Sequence, residues 1–420
     1  MSKDNVIGFK KAEAVTDLLT EVIRQGARQL LTVAVEAEVE EFLSRHNVAG
    51  ERPQFVRNGH LPERAIQTGI GDVEVEVPRI RNRSYAKDGI RFGSSVIPKY
   101  IRRSGKLETF IPLLYLKGVS ANDFVEALTP LVGENAKNLS PGVVSRLKSG
   151  WEDEYTVWNK RDLSGRRYVY VWADGIYLQA RMEDAAECVL VIIGVTEEGE
   201  KELLAIESGH RESKESWLSL LRDLKARGLS DAPQLAVGDG SLGFWGALSE
   251  VFGETRHQRC WFHKMGNVLD KLAKSQQGKA KTMLQEIWMS ATRRDADKAF
   301  DTFVNIYQAK YPKAAECLKK DKEELLAFYD FPAEHWIHLR TTNPIESTFA
   351  TVRHRTYKAK GCFSRTTILT MVFKLCESAQ ARWQRLRGFN HLADVIRGVK
   401  FVDGQRQIEQ HETVNERVAA

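Results

Sequence analysis

Between Arg166 and Phe262 the chain runs through strand-like and helix-like segments in an order that few architectures accept. Tyr168-Val169-Tyr170-Val171-Trp172-Ala173 is an unbroken aromatic and β-branched run, the composition of a strand covered on both faces. A second strand is predicted over Cys188 to Val195, turning at Glu198-Gly199, and a third over Leu203 to Ser208. A helix follows whose apolar face includes Trp217, Leu220, Leu221 and Leu224. Leu235-Ala236-Val237 then enters Gly238-Asp239-Gly240, ahead of a helix through Phe244 and Leu248 and a short strand near Arg259 to Phe262.

Three strands, a crossover helix, a strand, a helix and a strand make a ribonuclease H-like α/β pattern. A right-handed crossover inserts the fourth strand parallel beside the first. Asp174 and Asp239, far apart in sequence, then become neighbours at strand ends, where ligands of open α/β sheets collect. A third acid, Glu346, stands in RTTNPIESTFATVR after a long helical stretch. Each has a local explanation. Asp174-Gly175 and Asp239-Gly240 are turn dipeptides, and with Asn343 as N-cap and Pro344 at N1, Glu346 falls at N3 and completes a capping box. Local chemistry does not explain the conjunction. Three converging carboxylates form an oxygen-only cage for Mg²⁺, with Mn²⁺ as a substitute. Two such ions per site would serve in-line displacement at a phosphodiester.

The 420 residues, 42% hydrophobic and 28% charged, suffice for two or three domains with their own cores. The longest apolar stretches fall short of the roughly 20 residues of a membrane span, and MSKDNVIGFKK lacks the apolar region of a signal peptide. The expected place is the cytoplasm, with no membrane partner. Cys188, Cys260, Cys317, Cys362 and Cys376 form no CxxC pair, so reduced thiols are expected and a zinc ribbon is not.

The net charge is only +6, but the positive charge is concentrated. Arg79 to Lys106 holds nine Lys/Arg against Asp88 alone, and Thr351 to Arg387 holds nine against Glu377 alone. Phosphate neutralisation on double-stranded DNA is the natural reading, against the plain alternative of a solvated surface. In the first run the candidate contacts are Arg79, Arg81, Arg83, Lys99, Arg102 and Arg103. Arg353, Arg355, Lys358 and Lys360 lie on or beyond the Glu346 helix, with Arg340 on the other side. Trp336 is a candidate for stacking on an exposed base, although an aromatic is more often core.

Upstream, Val15, Leu18, Leu19, Val22 and Ile23 keep the spacing of one apolar helical stripe, suited to internal packing or dimerisation. Arg57-Asn58-Gly59 reads as a turn and Asp72 to Val77 as a strand before Pro78. Thr109 to Lys148 resembles a helix-turn-helix: one helix ends near Leu116-Lys117-Gly118, Ser120 caps the next, and Ser140-Pro141 opens another that presents Ser145, Arg146 and Lys148 to DNA. A plain helical linker explains the same pattern. The expected division is 1–50, an N-terminal helical segment; 51–106, a small basic β-containing module; and 107–160, a mostly helical DNA-binding region. Next come 166–265, the first part of the catalytic core; 266–335, a helical insertion; 336–395, the Glu346 helix and the rest of the core; and 396–420, a tail. In the insertion Leu284, Ile287, Trp288, Phe300, Phe303, Ile306 and Tyr307 supply apolar faces.

Five blocks, RNGHLPERAIQTGIGDVEVEVPRIRNR, WADGIYLQAR, VGDGSLGFWGAL, CWFHKMGNVL and LRTTNPIESTFATVRHRT, resemble the Mutator-type transposases of bacterial insertion sequences, in that order and over nearly the whole chain. The resemblance implies an Asp-Asp-Glu triad on a ribonuclease H-like fold, which falls here on Asp174, Asp239 and Glu346, with an all-α insertion before the Glu. It also implies binding to terminal inverted repeats and target DNA, strand cleavage and strand transfer, and a homodimer or larger synaptic complex. The family's Cys-x-x-His is matched by Cys260 and His263, too few for a four-ligand zinc site and expected as structural support. A DNA-binding regulator without catalysis leaves the three acids idle. A nuclease that cuts without joining does not account for the long N-terminal region.

Overall fold

A computed structural model describes residues 18–48, 50–83, 90–116, 119, 128–129, 141–178, 187–209, 211–359 and 364–407. The chain forms two compact units, Met1–Leu147 and Lys148–Ala420.

In the first unit, helix α1 (Leu18–His46) is followed by strands β1 (Phe55–His60), β2 (Arg64–Thr68), β3 (Gly71–Val75) and β4 (Pro78–Asn82), then helix α2 (Gly105–Leu116). The strands make two antiparallel pairs, β1 with β4 and β2 with β3. Alternation on β3 turns Val73 and Val75 inward, where they join Val35, Ile66, Val77 and Ile97 in a small core. Two expectations are corrected here. Arg57-Asn58-Gly59 is not a turn between elements but lies within β1, where the register with β4 slips and Gly59 takes a φ of +73°. The stripe of Leu18, Leu19, Val22 and Ile23 is exposed, and α1 packs through Val35 and Val39 instead; Val15 lies outside the described residues.

The boundary between the units falls in helix α3 (Pro141–Asn159). The second unit is built on strands β5 (Tyr168–Leu178), β6 (Glu187–Thr196) and β7 (Lys201–Gly209), helix α4 (Lys214–Ala226), strand β8 (Leu235–Gly238), helix α5 (Leu242–Val251) and strand β9 (Arg256–Arg259). They form one mixed sheet in the order β7-β6-β5-β8-β9, antiparallel among the first three strands and parallel from β5 to β9. The fourth strand thus lies parallel beside the first, as the sequence pattern predicts. The last strand ends at Arg259, before Cys260, and Trp261 opens helix α6 (Trp261–Leu269).

One face of the sheet buries Val171, Ala173, Leu190 and Ile192 under Trp217, Leu220, Leu221 and Leu224 of α4 and Phe244, Ala247 and Leu248 of α5. Ser213 caps α4, its side chain accepting the Ser216 N–H. Tyr170 and Trp172 point to the opposite face. There the Tyr170 hydroxyl meets His335 Nδ1 at 2.8 Å, and Trp172 Nε1 donates to the His338 carbonyl at 3.0 Å.

Between the sheet and Glu346 runs a helical stretch: α7 (Lys274–Met289), α8 (Arg293–Tyr307), α9 (Pro312–Lys319), α10 (Lys322–Leu326) and α11 (Trp336–Leu339). Phe300, Phe303 and Tyr307 of α8 and Leu284 and Ile287 of α7 are buried as expected, whereas Ile306 is exposed. The chain returns as α12 (Asn343–Ala359), burying Ile345, Phe349 and Val352 and packing on β5, followed by α13 (Arg365–Gln380) against β7. No helix of the described residues is long and apolar enough to cross a membrane.

Candidate active site

Register places the two aspartates. Ala173 of β5 pairs with Gly238 of β8, so the residues that follow them, Asp174 within β5 and Asp239 just past the end of β8, stand side by side. Asp174 is not in a turn. Strand β5 continues through it to Leu178, with Asp174 opposite Val191 and Gly175 opposite Leu190 on β6. The Asp174 carboxylate accepts the Gly175 N–H at 2.9 Å. Asp239 does lie at a turn, accepting the Ser241 N–H at 2.8 Å. Gly240 has a φ of +90°, and a Cβ there would fall 0.7 Å from Arg259 Nη1, so conformation and space both call for glycine.

Glu346 arrives on the first turns of α12. The Ile345 and Glu346 N–H groups both donate to the Thr342 carbonyl, which makes Thr342 the N-cap and moves Glu346 one position past N3. The capping box expected from Asn343 does not form. The Thr342 hydroxyl donates to Glu346 Oε1 at 2.7 Å, and the Thr342 N–H donates to Cys260 Sγ at 3.4 Å. Cys260 is fully buried, and its sulfur also lies 3.3 Å from Thr342 Oγ1. One turn into α6, His263 Nδ1 is 3.7 Å from Glu346 Oε1, beyond hydrogen-bond length but close for charge attraction. Donor atoms of Cys260, His263 and Glu346 all lie within 4.8 Å of one another.

The ionisation of these groups follows from their crowding. Burial, then the Asp239 carboxylate and, more weakly, Glu346, push Asp174 up to about 7. His263 is raised to about 9 by its interaction with the neighbouring Cys260 sulfur and by Asp174 and Glu346, which outweigh its burial. A fourth acid belongs to the group and was missed in the sequence. Glu212, just before the α4 cap, is pushed up to about 7 by burial, then by Asp239 and Asp174. Among the described residues no lysine or arginine forms an ion pair with Asp174, Asp239, Glu212 or Glu346. Arg259 packs on Gly240 but pairs with Asp321, as does Lys264.

The expected DNA contacts divide. Arg79 and Arg81 alternate to the exposed side of β4, and Arg83, Lys99 and Arg102 are exposed. Arg103 is half-buried, with its Nε donating to Gln67 Oε1 at 3.1 Å. Ser145, Arg146 and Lys148 lie on α3 and Arg355 and Lys358 on α12, but their side chains, and Lys360 altogether, lie outside the described residues, as does Ser120. Arg353 is exposed on α12. Arg340 is half-buried, its guanidinium 4.8 Å from the Phe328 ring and 5.3 Å from that of Trp336. Trp336 is corrected: it is 7% exposed and its Nε1 donates to the Phe331 carbonyl, so it belongs to the core and presents no face to a base.

Comparison with known proteins identifies the family. The profile of the family "Transposase, Mutator family" matches residues 3–386. The chain is 55% identical to the transposase for insertion sequence element IST2 of Acidithiobacillus ferrooxidans over 286 residues, 66% of this chain and 94% of that one. It is 50% identical over 295 residues, 70% of this chain and 91% of the other, to the transposase for IS6120 of Mycolicibacterium smegmatis. With the transposase for ISRM5 of Rhizobium meliloti it shares 27% identity over 399 residues, 92% of this chain and 96% of that one. The chain belongs to the Mutator family of transposases.

Proposed function

We propose that this protein cleaves the DNA strands at the terminal inverted repeats of its own insertion sequence and joins them to target DNA, acting in the bacterial cytoplasm. The catalytic core is then a ribonuclease H-like sheet with Asp174, Asp239 and Glu346 as its acids. The observation that carries this reading is the register of β5 on β8, which sets Asp174 beside Asp239, together with Glu346, which is bonded to the Thr342 hydroxyl and near enough to Asp174 for their charges to interact.

The donor set fits divalent metal. Carboxylate oxygens are the hard ligands Mg²⁺ and Mn²⁺ take, and the burial and neighbouring carboxylates that raise Asp174 are what a bound cation offsets. Asp174, Asp239 and Glu346 would hold two ions, which when bound activate the attacking oxygen and offset charge on the leaving one. The protein's own part is positional. Strand pairing fixes the two aspartates, and Thr342 fixes the Glu346 rotamer. Arg353, exposed on α12, takes a phosphate of the substrate, and the exposed Arg79 and Arg81 of β4 take others. Water attacks first, and the freed 3′-hydroxyl then attacks the target strand, with no covalent protein intermediate. Two ends must meet, which asks for a dimer or larger complex, and the exposed apolar stripe of α1 is suited to forming one.

The test uses duplexes carrying the ends of the element that encodes the protein, with Mg²⁺ or Mn²⁺ and then with EDTA. Asp174→Asn, Asp239→Asn and Glu346→Gln are each expected to lower cleavage and joining by roughly a thousandfold or more while leaving end binding intact. Specific end binding with no metal-dependent products in wild type would instead make the protein a DNA-binding regulator.

A further inference from the structure

Gly175, in the middle of β5, has no positive φ and no conformational need for glycine. Space supplies the reason. A Cβ at this position would stand 2.4 Å from Glu212 Oε1 and 2.6 Å from Glu212 Cδ. Asp174 points to the α12 face of β5, and the Glu212 carboxyl fills the room a side chain at 175 would take on the other. The backbone around Glu212 is fixed as well. A Cβ on Gly243, in the first turn of α5, would lie 2.4 Å from the Glu212 carbonyl oxygen and 2.9 Å from the Lys214 nitrogen. The Ser241 hydroxyl reaches the same carbonyl at 3.4 Å, and the Glu212 N–H reaches the Tyr177 hydroxyl at 3.4 Å. Glu212 is thus held by the two elements that present Asp174 and Asp239. A glutamate in a loop ahead of a helix cap ordinarily turns to water or to a basic partner. This one is half-buried and has neither lysine nor arginine paired with it among the described residues.

We infer that Glu212 is a fourth carboxylate ligand for the divalent cations of this site, shared with Asp239. The assignment rests on the metal-dependent reading given above and adds a ligand to it.

The test is equilibrium binding of Mn²⁺ to the full chain without DNA, following free Mn²⁺ by electron paramagnetic resonance. Glu212→Gln is expected to weaken binding by about tenfold or more, as are Asp174→Asn and Asp239→Asn. Glu215→Gln, exposed on the first turn of α4, is expected to bind as wild type. Gly175→Ala keeps every acid but crowds the Glu212 carboxyl, and is expected to weaken binding too. Without metal, Glu212→Gln should unfold at or above the wild-type temperature, because a like charge has gone, and gain less from added Mn²⁺. If Glu212→Gln binds Mn²⁺ as wild type while Asp174→Asn does not, Glu212 is no ligand and the metal reading stands. A metal-free midpoint several degrees below wild type assigns Glu212 to folding and overturns the inference. Absence of Mn²⁺ binding in wild type removes the metal reading and this ligand with it.

Discussion

Thr342 sits between two functions, capping α12 and setting Glu346. Its hydroxyl has one proton, directed to the nearer Glu346 oxygen, while its N–H is taken by the Cys260 sulfur. Thr342→Val keeps the shape of a fully buried side chain and removes only the hydroxyl. It is expected to slow strand cleavage by about ten- to a hundredfold, the usual effect of losing a partner that orients a ligand, with DNA binding unchanged in a gel-shift assay. An unaltered rate would show that packing alone orients Glu346. The sequence carried part of this arrangement. TTNPIES contains the threonine, but reading Asn343 as the cap placed Glu346 at N3, in a capping box that does not form. The correct cap depends on Cys260, whose contact with Thr342 spans 82 residues and leaves no mark on local composition. Glu212 was hidden for the same reason: within ESGHRESKESW nothing local separates one acid from the others, and its place is set by glycines on β5 and α5.

At the scale of elements, strand order was legible because each run buried on both faces declares itself in composition. The helical faces of α4 and α5 were legible from their spacing. Ends were not. The dipeptide Asp174-Gly175 carries a turn signal that ten paired residues of β5 and β6 override. The matching dipeptide after β8 is a true turn, and there the glycine is obligatory. Gly240→Ala forces a side chain into a φ of +90° and onto the Arg259 guanidinium. It is expected to cost about 1–3 kcal/mol in urea unfolding and to loosen the Arg259 to Asp321 pair. A midpoint equal to wild type would mean the β8 to α5 connection has a second conformation.

The second unit as a whole is tied across its sheet by a neutral histidine. The Gly388 carbonyl can only accept, so His335 Nε2 carries the proton and Nδ1 accepts from the Tyr170 hydroxyl. Burial holds His335 down at about 4, below its usual 6.5. The unfolded chain therefore binds the proton first as pH falls. The stabilisation is complete above about pH 6.5 and is lost as the pH drops toward 4, at most about 3 kcal/mol from this group. His338, lowered to about 4 chiefly by burial, acts in the same direction. Unfolding free energy measured from pH 7 to 4 should fall along this window, with a shallower slope in His335→Asn; equal slopes would remove His335 as the cause. Order along the chain has a further consequence. All five strands of the sheet are complete once Arg259 has been made, whereas Glu346 follows 87 residues later. At roughly 5–20 residues per second that interval lasts about 4–17 s on the ribosome. A nascent or prematurely terminated chain in that interval holds both aspartates and lacks the glutamate, so under the proposed mechanism the gene's unfinished products cannot cut the DNA they are made beside.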